Sequence, residues 1–189
     1  LKYFKYGHGV VTISKYATVL GGVNTIPVFI INMILTIIIS SISFSLVTAG
    51  EEIGWRGYLQ PKLTSKYGFI KGNIILGLVW GYWHAPIILA GYNYPEHPIL
   101  GALILMPTIS VLFSIILGYL REKSKSIWPA ALAHASINMF AEIPLSHVEF
   151  NVPRIINDLL VIVLWFIIAL IIIKKINKES NKACEIVSK

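Results

Sequence analysis

Two adjacent glutamates, Glu51 and Glu52, close a long uncharged run and are followed by Arg56, in the string Glu51-Glu52-Ile-Gly-Trp-Arg56. A carboxylate at membrane depth costs roughly 3 kcal/mol on insertion scales, so a chain that keeps a pair there has a use for it. Further along, His84 lies in Trp80-Gly-Tyr-Trp-His84-Ala-Pro86, and His134 and Asn138 lie in Leu132-Ala-His134-Ala-Ser-Ile-Asn138. On a helix, Glu52 and Arg56 are i,i+4 neighbours that neutralise each other, which leaves Glu51, about 100° round, to face something else. One carboxylate is then available as a base and the other serves as a structural partner. His134 and Asn138 project from one helix face in the same way. A carboxylate desolvated in a membrane cavity is a stronger base than one in water. A donor pair on one face suits a developing oxyanion.

The elements that must carry these groups are membrane spans. Of 189 residues, 56% are hydrophobic and 13% charged, against about 25% charged in soluble domains. The chain is therefore read as an all-α, polytopic transmembrane helical bundle with an intramembrane cavity. The single cysteine excludes an internal disulfide. The net charge of +7 reflects lysines gathered between apolar runs, and a nucleic-acid partner is not indicated. The spans are read at Ile26–Ala49, Gly72–Ala90, Ile99–Leu120, Ile127–Ile143 and Ile155–Ile173, each near the roughly 20 residues that cross the hydrocarbon. The first is expected to run on as a helix through Glu51, Glu52 and Arg56 until Pro61 stops it. Residues 1–22 read as an interfacial or partial segment, 23–176 as the membrane domain and 177–189 as a polar tail. Because the chain opens on Leu1 rather than Met, helices upstream are expected to be missing.

Lysine and arginine assign the sides. Arg56, Lys62, Lys66 and Lys71 separate the first two spans; Arg121, Lys123 and Lys125 separate the third and fourth; Lys174, Lys175, Lys178 and Lys182 follow the fifth. The positive-inside rule puts these loops and the C-terminus in the cytoplasm, of a protein expected in the plasma membrane. Lys2, Lys5 and Lys15 do not fit if the opening segment is outside. At ~1.5 Å of rise per residue, Glu51 lies about 16 Å from Lys62, His84 about 20 Å from Lys71 and His134 about 14 Å from Lys125. The three groups share one layer. Pro86 cannot donate to the carbonyl of Tyr82, so the second helix should break near His84.

Each residue alone has a plainer reading. A lone intramembrane histidine is often a donor between helices, and Asn138 alone reads as interhelical glue. Trp80, Trp83 and Trp128 read as packing or interface residues, and His8, His97 and His147 as solvated loop residues. The set of a Glu pair, two histidines and an asparagine on three helices at one depth is harder to explain that way.

Taken together, Glu51-Glu52-x-x-x-Arg56, the aromatic-x-x-x-His84 of Trp80 to His84, and His134-x-x-x-Asn138 resemble the CAAX protease and bacteriocin-processing (CPBP or Abi) intramembrane proteases, which include the type II prenyl-protein endopeptidases. The likeness runs from about Thr48 to Phe140 and includes the Trp-Pro-Ala…Ala-His-Ala stretch at Trp128–Ala135. It departs at Trp80, where the motif is usually written with Phe. The resemblance implies a cavity open to cytoplasm and membrane, Glu51 and His84 activating a water, His134 and Asn138 stabilising the oxyanion, and Glu52 and Arg56 in support. The partners implied are the lipid bilayer and a lipidated protein or hydrophobic peptide substrate. Two histidines and a glutamate (Glu51, His84, His134) could also hold zinc, but the compact His-Glu-x-x-His helix is missing. The residues make a complete glutamate-dependent site without a metal, which is the reading preferred here. The competing classes are a bacteriocin self-immunity membrane protein with little or no turnover, and a proton-relaying transporter fragment. The second lacks the paired broken-helix repeats of transporters.

Overall fold

In the computed structural model the described residues are 26–142 and 154–187, and they are helical or in short connections, without strand. The helices are α1 (Ile26–Glu52), α2 (Gln60–Tyr67), α3 (Phe69–Trp83), α4 (Ala85–Leu89), α5 (Pro98–Leu100), α6 (Met106–Ser124), α7 (Trp128–Glu142) and α8 (Arg154–Val187). Two π-helical stretches interrupt them, Ile53–Leu59 between α1 and α2 and Gly101–Leu105 ahead of α6. The opening segment 1–22, His8, His147, Ile143 and most of the 144–154 loop lie outside the described residues. The result is an all-α membrane bundle, and its environment is a lipid bilayer. Among the described residues three helical stretches are long and apolar enough to cross a membrane, Ile34–Tyr67, Pro98–Ser124 and Ile155–Glu179. The runs read as second and fourth spans are also helical, but α3 and α7 have 15 residues each. Large apolar side chains such as Leu46, Ile39 and Leu160 stand exposed on the outer faces, where lipid would cover them.

Pro61 does not stop the first helix. The chain continues helically to Tyr67, with Pro61 in the first turn of α2. Proline breaks a helix because its ring meets the carbonyl four residues back and its donor is missing. Here the preceding turn is widened, with the backbone N–H of Gln60 donating to the carbonyl of Trp55, five residues back. The ladder is thus already opened where the proline enters. π-Helical stretches inside α-helices are frequent at functional sites, and this one begins directly after the glutamate pair. Pro86 acts as its chemistry dictates: α3 ends at Trp83, His84 N–H donates to Gly81 at 3.1 Å, and α4 starts afresh at Ala85.

Small residues set the helix contacts. On α3, Gly77 and Gly81 lie against the backbone of α6 at Ser110–Val111 and Pro107, and on α6 Gly118 meets Asn73. Without a hydrophobic drive between lipid-soaked helices, this close backbone approach is what packing can use. Leu76, Leu112, Ile115 and Leu117 fill the buried seam around it. A methyl group on Gly77 would run into the Cα of Val111 and come within 2.8 Å of the Ser110 carbonyl. Gly77→Ala should therefore lose about 1–3 kcal/mol by overpacking, read as a lower unfolding temperature in detergent. Gly54→Ala, with nothing within 4 Å of the new carbon, should be neutral or better. Equal stability of the two variants would contradict this account of the seam.

The other key seam joins α1 to α7. Ser41, Ser45, Thr48 and Glu52 line one buried stripe of α1, and Ala130, Ala131, His134 and Ala135 are buried on α7. The Thr48 hydroxyl donates to the carbonyl of Ala131 at 2.9 Å. Small side chains on both faces let the helices approach until that bond forms, and the same stripe one turn on carries Glu52 and His134. At the other side, α8 leans on α6 through Phe113 and Trp165, whose rings meet edge-on at 5.0 Å. It runs on past the apolar stretch, through the segment read as a polar tail, and Glu179 pairs with Lys123 at 2.6 Å.

Candidate active site

The polar groups singled out in the sequence come from α1, the π-turn, α3 and α7. Glu52 is the hub of one half. Its Oε1 accepts from Arg56 Nη1 at 2.8 Å and from His134 Nδ1 at 2.9 Å. Glu52 and Arg56 are both wholly buried, and His134 nearly so. The i,i+4 pair expected from spacing is thus present, and it also grips the histidine of a second helix. A single carboxylate oxygen is shared between the two donors, while Arg56 lies 4.4 Å from the centre of the Trp80 ring. Stacking on an indole is a usual way to cover a guanidinium that has left water.

Glu51 is handled differently. Its Oε2 accepts from the indole N–H of Trp80 at 3.1 Å and more loosely from that of Trp55 at 3.4 Å. Among the described residues it makes no ion pair. Its carboxylate is oriented by neutral donors, while its neighbour Glu52 makes the direct ion pair with Arg56. His84 Nδ1 lies 2.9 Å from the carbonyl of Trp80. A carbonyl only accepts, so Nδ1 carries a proton, and a neutral ring would have its lone pair on Nε2. The ring is held edge-on by Trp83 at 4.9 Å.

Glu51 and His84 share no direct hydrogen bond, but both are bonded to Trp80, Glu51 by its indole and His84 by its backbone carbonyl. That residue is 3% exposed, and its ring also abuts His134 edge-on at 5.1 Å. Read from sequence as a packing or interface residue, Trp80 instead touches Glu51, Arg56, His84 and His134. The signal that could have shown this is its placement four residues, about one helical turn, before His84, which caps α3. Asn138 lies half-buried one turn beyond His134 on α7, without a hydrogen bond to the other members of the set. Among the described residues no three His, Cys, Asp or Glu side chains come together as a ligand set for a metal ion. Glu51, His84 and His134, the candidate zinc ligands, are instead engaged with indoles, a backbone carbonyl and Glu52.

An all-α membrane protein with a buried Glu–Arg–His cluster, a second carboxylate on indole donors and a histidine at a helix break is what the fold and site define. The model of the Rce1-like type II CAAX prenyl endopeptidases matches residues 22–140, well over half of the chain, and the chain belongs to that family. It is 36% identical over 98 residues to the CAAX prenyl protease 2 of Methanococcus maripaludis, a stretch that is 49% of this chain and 36% of that protein. The chain thus matches about a third of the length of that curated relative. No solved structure matches it.

Proposed function

We propose that this chain carries the catalytic centre of an intramembrane endopeptidase that hydrolyses a peptide bond near the C-terminus of a prenylated, membrane-anchored protein. The reading rests above all on the unequal environments of the two glutamates. Glu52 is consumed by Arg56 and His134, whereas Glu51 is aimed by two neutral indole N–H donors. The family and the name of the archaeal relative support the substrate class. A cytoplasmic C-terminus is the orientation that the lysine-rich loops support, in a protein of the plasma membrane.

In the proposed step Glu51 removes a proton from a water whose position is shared with the Nε2 lone pair of His84. The hydroxide attacks the carbonyl carbon, and the negative charge collects on the carbonyl oxygen. Asn138 donates to that oxygen, and so does His134 from Nε2 when the ring carries both protons. Collapse of the intermediate breaks the C–N bond, and Glu51 returns the proton to the leaving amine. No metal takes part.

The test is cleavage of a farnesylated peptide by purified protein in detergent, with both fragments identified by mass spectrometry. Product should appear at an undiminished rate in excess chelator. Loss of cleavage in chelator, restored by zinc, would replace the proposed mechanism with a metal-dependent one. Failure to cleave any prenylated peptide would leave the immunity-protein reading in first place.

A further inference from the structure

We propose that Trp80 is the positioning residue of the site, whose indole N–H sets the direction of the Glu51 carboxylate while its backbone carbonyl sets the tautomer of His84. This rests on the protease reading and adds to it the residue that aligns the two groups placed on the water. Three observations carry it. The indole reaches Glu51 Oε2 at 3.1 Å from another helix, 29 residues away in sequence. The carbonyl of the same residue receives His84 Nδ1 at 2.9 Å. The ring itself cannot turn, because Leu117 and Ala130 pack against it in one buried cluster, Arg56 lies over its face and Gly81 beside it sits on Pro107.

The consequence is geometric. A carboxylate on the end of a glutamate has three rotatable bonds, and a base must hold its free oxygen within hydrogen-bond reach of the water it deprotonates. Both indole donors address Oε2, so Oε1 is left for the proton. A donor on a wedged ring holds that orientation without adding a positive charge that would weaken the base. His84 and Glu51 are then aligned by one rigid residue. Trp55 can do less of this, because its contact is longer, at 3.4 Å, and comes from the same helical stretch as Glu51.

The experiment removes the N–H and little else. Trp80→Phe takes away the donor, and site-specific replacement of Trp80 by its sulfur isostere, 3-benzothienylalanine, keeps size, shape and the face under Arg56. Both should lower kcat by about 10²-fold, the scale of a misaligned catalytic group, with KM for a farnesylated peptide nearly unchanged. Trp55→Phe should lose much less. A rise in KM with kcat preserved in the isostere protein would make Trp80 a lining residue and overturn the proposal. An independent reading needs no turnover: the indole ¹⁵N–¹H resonance of Trp80, assigned by its absence in Trp80→Phe, should move clearly in Glu51→Ala, which removes the acceptor. A resonance that stays in place means the contact does not exist in the folded protein. Because it is recorded whether or not peptide is cleaved, failure of the contact and failure of the protease reading give different results.

Discussion

Glu51→Gln is expected to bring cleavage of a farnesylated peptide below detection. Gln keeps the length of the side chain and can still accept from the Trp80 indole at its amide oxygen, but it cannot take a proton from water. General base catalysis contributes about 10²–10⁴-fold, and here the same group must also protonate the leaving amine, so the upper end applies. His84→Ala should be comparably severe, because the water then loses the Nε2 acceptor. Asn138→Ala should leave measurable turnover, reduced by about 10²–10³-fold, since His134 would remain as an oxyanion donor. The order matters more than the sizes. Wild-type rates in Glu51→Gln would rule out the mechanism at its first step.

The second large effect is on stability. Arg56→Ala leaves Glu52, wholly buried, facing His134 with its main counter-charge gone. Breaking a buried pair from one side costs about 3–5 kcal/mol, and a chain of this size loses roughly 2–4 °C of unfolding temperature per kcal/mol. The melting temperature in detergent should therefore fall by about 10 °C. Arg56→Lys should recover only part of it, because an ammonium cannot present the flat face that lies over Trp80. The partner variant Glu52→Gln should be milder: it removes a buried charge rather than orphaning one, although His134 then loses its ionic acceptor. An Arg56→Ala protein that melts with the wild type would mean that the pair carries no structural weight.

Relations within one helix were open to inspection in the amino-acid sequence, because the helical period alone determines them. The all-α membrane class followed from charge content and apolar runs. The Glu52–Arg56 pair followed from an i,i+4 spacing, and the break at His84 from the missing donor of Pro86. Counting residues from the flanking lysines put Glu51, His84 and His134 at one level. Hydrogen bonds that tie α1 to α3 and to α7 now span that level. The sequence also implied, through three motifs, the family to which the chain belongs.

Which way each helix turns about its own axis was decided only in the tertiary structure. That rotation depends on whole faces packing together, Ser41, Ser45 and Thr48 against the alanines of α7, and Gly77 and Gly81 against α6. Glu52 could meet His134, 82 residues away, only once those small side chains had let the backbones approach. The same packing turned Trp80 inward and made an apparent filler the donor on Glu51. The helix continues past Pro61 for a related reason: a proline ends a regular helix, and the widened turn that accommodates it is a backbone choice no single residue announces. Local period can be read residue by residue, whereas the mutual orientation of helices is a property of all their contacts at once.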